Sequence, residues 1–182
     1  MKKYLTFTGI VLFTFLLSSF TANELNEPVA GIVAEGLNVG NKAPDLAFNN
    51  PDGNSIKLSS LQGKLVLIDF WASWCSPCRR ENPNIVATYK QYKDQDFKNG
   101  KGFTIYSVSL DKNKSSWVNA IKTDDMIWEY HVSDLKGWNS EPAGVYSIRS
   151  IPSNLLIDAD GVIIAKNLRG PYLAQALEKL VK

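Results

Sequence analysis

The stretch from Leu65 to Pro83 constrains this chain more than any other. It opens with an apolar run, Leu65 to Phe70, short and β-branched enough to be a buried strand. Cys75 and Cys78, the only two cysteines, follow at once, separated by Ser76-Pro77, and helix-like sequence comes after them. Cysteines three apart in the first turn of a helix carry their sulfurs on one face, close enough to bond. Unpaired N–H groups and the positive end of the helix dipole favour a thiolate there. The thiolate is the form that attacks disulfides, so Cys75, nearest the helix start and the more exposed, is expected to be the nucleophile. Cys78, one turn deeper, would resolve the mixed disulfide. Pro77 suits a first turn, where its missing N–H costs little.

These residues resemble the thioredoxin superfamily, with Trp74-Cys75-Ser76-Pro77-Cys78 in place of its Trp-Cys-x-x-Cys motif. Asp69, six before Cys75, stands where thioredoxins bury an acid beneath the second cysteine. Pro83, five after Cys78, stands where they kink the active-site helix. Ile151-Pro152 matches the cis-proline that faces the dithiol, ahead of a strand from Asn154 to Asp158. A lone CxxC also serves zinc and haem; with a preceding strand, an internal acid and a downstream Ile-Pro-strand it points to redox chemistry. The resemblance covers residues 40–182 and is strongest to the exported TlpA/ResA-like branch. It implies an α/β, thioredoxin-like fold with an extra N-terminal β-hairpin and a central insertion, its mixed central sheet flanked by helices.

The N-terminus reads as a targeting segment. Met1-Lys2-Lys3 precedes an uncharged apolar stretch from Tyr4 to Phe20, a basic n-region followed by an h-region. Residues 1–22 are therefore expected to be an export signal, or an uncleaved anchor if the run spans a membrane. No cysteine follows to take a lipid. Without residues 1–22 the charge falls from +2 to zero, because only Lys2 and Lys3 leave. Nothing in that balance suggests a nucleic-acid or membrane-surface footprint. Export would place the dithiol in a periplasmic, disulfide-permissive compartment. A pair at three-residue spacing staples almost nothing, so it is expected to be reactive rather than structural. Residues 23–39 read as a linker and 40–182 as one domain.

Within that domain, Leu46–Phe48 and Ser55–Leu58 should form the extra hairpin, turned by Asn50-Pro51-Asp52-Gly53. Ile85, Val86, Tyr89 and Tyr92 recur at helical spacing and should pack inward. Phe97 to Gly102 reads as a polar connection, and Phe103 to Leu110 as a strand parallel to the first. The insertion, Asp111 to Arg149, should hold a helix over Ser115–Lys122, a strand over Trp128–Val132 and a turn over Pro142–Ile148. A hairpin at Asp158-Ala159-Asp160-Gly161 and a helix over Tyr172–Val181 complete the chain.

The resemblance implies roles for the site. Asp69 would take the Cys78 proton, its pKa raised by burial towards the useful range. Trp74 would cover one side of the dithiol, and Ile151 and Pro152, with Pro77, would meet an extended substrate segment. Glu81 is expected on a solvent-facing helix surface, with tuning of the thiols as the alternative; Trp71 is expected in the core, Trp138 in the core or else lining a substrate groove, and His131 in an ordinary core or surface role. No metal and no cofactor beyond the redox-active Cys75–Cys78 disulfide is expected. The leading class is an exported thiol–disulfide oxidoreductase reducing protein disulfides, including those of apocytochrome c, with electrons from a membrane thiol carrier, and monomeric. A peroxiredoxin-like peroxidase is the alternative, but that family places Thr or Ser three before its nucleophile and position 72 is alanine. A Cu(I) chaperone is a third, using the cysteines and His131, though such proteins space their cysteines by three residues rather than two.

Overall fold

The structure, a computed structural model, describes residues 33–182. The expected export signal and the first part of the expected linker lie outside the described residues. From residue 33 on, Glu35 bridges Lys42, while Lys42 bridges Val162. The Ala43 N–H bonds to the Gly161 carbonyl at 2.9 Å.

The hairpin forms as its turn chemistry dictates. β1 (Ala47–Asn49) pairs antiparallel with β2 (Ser55–Lys57). The Asn50 side chain accepts the Asp52 and Asn54 N–H groups at 3.0 and 2.9 Å, and Gly53 supplies the positive φ of 89°. A 3-10 turn over Leu58–Leu61 then leads into β3 (Leu65–Trp71), every residue of which is buried. α1 (Ser76–Tyr92) follows directly.

The polar connection expected over Phe97–Gly102 is instead a small antiparallel hairpin, β4 (Asp96–Phe97) with β5 (Gly100–Lys101). Its anchor is Phe97, fully buried and bridged to Val181, so one aromatic side chain outweighs the polar composition around it. β6 (Phe103–Ser109) runs parallel to β3 and is buried throughout. The insertion supplies α2 (Lys114–Thr123), β7 (Tyr130–Val132) and α3 (Glu141–Val145). β7 is shorter than expected because Trp128 turns inward, donating its Nε1–H to Ser107 Oγ at 3.0 Å. β8 (Ser153–Ile157), β9 (Ile163–Lys166) and α4 (Pro171–Glu178) close the chain.

The central sheet has the order β7-β6-β3-β8-β9. β3, β6 and β7 are parallel, while β8 is antiparallel to β3 and β9 to β8. The sheet is thus mixed, with β3 at its centre, and a strand so placed must be apolar on both sides. Asp69 is the exception, and it lies opposite Asn154 in the β3–β8 register. α1 packs against α4 and β6, its Tyr92 hydroxyl donating to Glu178 at 2.7 Å. Ile85, Val86 and Tyr92 are buried and Tyr89 half-buried, the inward face that their spacing predicts.

Candidate active site

The redox pair is built by the end of one element and the start of the next. β3 ends at Trp71, and after three intervening residues Cys75 caps α1 from an extended conformation, φ −84° and ψ 92°. Its Sγ accepts the Cys78 N–H at 3.2 Å, one of the N–H groups that a helix start leaves without a backbone partner. Cys75 and Cys78 are joined by a disulfide, with Cα atoms 5.2 Å apart. Both cysteines are buried, Cys75 4% exposed and Cys78 1%, so the residue nearer the helix start is slightly the more exposed. Ser76 and Pro77 are exposed, and Pro77 lies in the first turn, where no N–H is required. On reduction, a Cys75 thiolate would keep the N–H donor and the helix end that stabilise it.

The loop before the cysteines is braced from three sides. Asp111, buried at the end of β6, accepts the Ser73 N–H at 2.9 Å and the Ser73 hydroxyl at 2.5 Å, and also the Ser109 hydroxyl at 2.7 Å. The Ser73 carbonyl accepts from Arg79 Nη1 at 3.1 Å. Arg79 is in turn held by both oxygens of Asp124, at the end of α2. Asn82 Nδ2 reaches that same carboxylate at 2.6 Å. Sequence reasoning missed these residues: Asp111, Arg79 and Asp124 stand far apart in the chain, and no local pattern joins them.

Asp69 lies on β3, 1% exposed, and neither of its carboxyl oxygens has a hydrogen-bond partner among the described residues. Burial, reinforced by the Glu81 carboxylate, pushes its pKa up to about 7, while the Arg169 guanidinium works in the opposite sense. Glu81 follows Cys78 by three on α1 and so shares its helix face.

Glu81 itself is not the solvent-facing residue expected. It is half-buried, and its Oε1 accepts the Gly170 N–H at 2.6 Å. Gly170 caps α4 and brings no side chain of its own to that helix start, so the Glu81 carboxylate from α1 sits there instead.

The Ile151–Pro152 bond is cis, as its match to the family motif implies. Pro152 is buried and Ile151 half-buried at the entrance to β8. Trp74 is 52% exposed beside Cys75. Trp138, expected in the core, is 50% exposed, and its ring centroid lies 6.1 Å from that of Trp74. It stands on a short 3-10 turn, Gly137–Asn139, where no strand or helix covers it. Gly137, at φ 61°, makes room for the Lys112 side chain: a Cβ there would lie 2.7 Å from Lys112 Cε. Together Ser73, Trp74, Lys112 and Trp138 line a groove of about 600 Å³ that includes the two residues preceding Cys75. Trp71, by contrast, is fully buried, as expected.

His131 is buried on β7, stacked on Trp128, with Nε2 at 3.2 Å from the Met126 carbonyl. Burial lowers its pKa to about 4. Among the described residues no three metal-ligating side chains come together.

Residues 39–166 match the AhpC/TSA family. The chain belongs to that family. A thiol-disulfide oxidoreductase ResA of Bacillus cereus is 32% identical over 132 residues, 72% of this chain and 70% of the relative. The thioredoxin domain of a thiol-disulfide oxidoreductase from Bacteroides vulgatus is similar with a TM-score of 0.72 and 38% identity, covering 81% of this chain and 100% of that one. A thiol:disulfide interchange protein from a Bacteroides species gives 0.68 and 37%, over 82% and 91%. The fold is thioredoxin-like, and the protein is a thiol–disulfide oxidoreductase of the TlpA/ResA-like kind.

Proposed function

We propose that this protein reduces disulfides in exported proteins, with Cys75 as the attacking and Cys78 as the resolving thiol. One observation carries the reading: a Cys75–Cys78 disulfide at the start of α1, directly after the strand that holds a buried carboxyl, Asp69, without hydrogen-bond partners among the described residues and with a pKa near neutrality. The Cys75 thiolate attacks one sulfur of a substrate disulfide. That bond breaks, the leaving sulfur takes up a proton, and a mixed disulfide forms. Asp69, in its ionised form, accepts the proton of the Cys78 thiol. The Cys78 thiolate then attacks Cys75 Sγ, releasing the second substrate sulfur as a thiol once it is protonated. Two electrons pass to the substrate, and the enzyme is left in the oxidised state described above.

Trp74, Pro77, Ile151 and Pro152 would meet the substrate segment as the family resemblance implies, and the groove lined by Trp74 and Trp138 would extend that surface. The basic and apolar pattern of residues 1–22 supports export to the periplasm, with the segment either removed or kept as an anchor. In that compartment a membrane thiol carrier would re-reduce the pair, and the cysteines of apocytochrome c are the substrates that the family resemblance favours. The protein acts as a monomer without nucleic acid, and its redox pair is its only cofactor.

The test is the equilibrium reduction potential of the pair, followed through Trp74 fluorescence. A value near thioredoxin's, about −270 mV, supports a reductase, whereas one near about −120 mV makes the protein an oxidant. Cys75-dependent loss of peroxide would replace the reading with the peroxidase one.

A further inference from the structure

Three consecutive residues between β9 and α4 each touch a different part of the redox site. Leu168 is clasped by the Asn154 side chain, its N–H donating to Oδ1 and its carbonyl accepting from Nδ2, both at 2.8 Å. Asn154 is buried and lies directly opposite Asp69 in the sheet. Arg169 donates a hydrogen bond from Nη2 to the carbonyl of Pro152. Gly170 donates its N–H to Glu81, the acid one turn past Cys78. Asn167 and Gly170, at φ 55° and 53°, bend the chain on either side so that these contacts coincide.

We propose that Arg169 is a positioning residue of the dithiol reaction, holding Pro152 on the substrate side while its charge balances Glu81 across the buried Asp69 carboxyl. The proposal rests on the reading of Asp69 as proton acceptor for Cys78. Two charged groups act on Asp69 through space: Glu81 on α1, which disfavours the carboxylate, and Arg169 in the β9–α4 loop, which favours it. β8 presents the neutral Asn154. In the oxidised protein the cysteines are bonded to each other and do not titrate. Glu81 is tied to Gly170, so the acid and the base acting on Asp69 are fixed to adjacent residues of one short loop. That loop ties the proton acceptor of the inner cysteine to the proline that a substrate meets.

The experiment compares Arg169→Gln, Arg169→Ala, Arg169→Lys and Glu81→Gln. The Asp69 carboxyl is titrated directly by carbon NMR in the full-length oxidised protein, a readout that needs no turnover. Arg169→Gln should move its midpoint up, Glu81→Gln should move it down, and Arg169→Lys should restore it. In turnover of a protein disulfide, the pH limb of mixed-disulfide resolution should follow the same shifts. Arg169→Ala, which also loses the bond to Pro152, should raise KM several-fold, while Arg169→Gln, which keeps a donor, should raise it less. An unmoved Asp69 midpoint in Arg169→Gln, or an unchanged KM in Arg169→Ala, would overturn the proposal. If the midpoints shift but wild-type resolution does not depend on Asp69, the reading of Asp69 fails and the electrostatic assignment of Arg169 stands.

Discussion

Replacing Asp69 by Asn should stabilise the oxidised protein at neutral pH and leave it unchanged in acid. The carboxyl has a pKa near 3.8 when solvated and about 7 in the fold. Each unit is worth about 1.4 kcal/mol, so the full difference is about 4 kcal/mol against the folded state. The sign follows from where the proton sits. Below about pH 4 both folded and unfolded chains hold it, and the substitution gains nothing. Between about pH 4 and about pH 7 the unfolded chain ionises while the folded one stays protonated, so wild-type stability falls progressively and the loss is complete above about pH 7. The Asn amide escapes this; buried without partners, it costs about 1–3 kcal/mol at every pH, as the protonated carboxyl does in acid, so that cost cancels from the comparison. The gain at about pH 8 over the difference seen at about pH 4 should therefore be about 4 kcal/mol. Denaturant unfolding of both oxidised proteins across that range measures it, with the disulfide keeping the cysteines from titrating. His131, held near 4 by burial, titrates in the same window but alike in both proteins, so it cancels from the difference. A stability difference constant with pH would refute a carboxyl held near neutrality. The variant should also resolve mixed disulfides more slowly while forming them at the wild-type rate.

Other parts of the site give separate outcomes. Asp111→Asn removes the charge from an acceptor of three hydrogen bonds, two of them to Ser73. It should cost about 2–3 kcal/mol in denaturant unfolding; no change would mean that the Ser73 loop is held by other contacts. Trp138→Ala should raise KM for a protein disulfide several-fold and leave the rate with a small aromatic disulfide unchanged. Equal effects on both would remove the groove from substrate binding. The Cys75→Ser/Cys78→Ser protein should still melt cooperatively, because a bridge between residues three apart staples almost nothing; a loss of cooperative unfolding in that double variant would make the disulfide structural.

The central architecture was legible because its signals are local. The apolar run of β3, the cysteine spacing, the helical repeat of Ile85, Val86 and Tyr92, and the Asn50–Gly53 turn each depend on neighbours within a few residues. At the candidate site, the pairing of Cys75 with Cys78, the burial of Asp69 and the cis bond before Pro152 were legible because each sits in a short motif. What escaped depends on pairs distant in sequence. Glu81 has an ordinary helical spacing, and only the approach of Gly170, 89 residues away, turns it inward. Trp138 is an isolated aromatic with no periodicity to say which side faces water. Arg79, Asp111 and Asp124 are linked through the Ser73 loop because the start of α1, the residues just past β6 and the C-terminus of α2 converge there. Phe97 shows the reverse case, a polar segment ordered by a single side chain that finds the core.

The most direct test of the redox assignment is a trapping experiment with the Cys78→Ser protein. Reduced and mixed with a disulfide-bonded protein substrate, it should accumulate a covalent adduct that mass spectrometry maps to Cys75, while the wild-type protein releases reduced substrate and ends with Cys75 bonded to Cys78. The absence of any adduct on Cys75 would contradict the account.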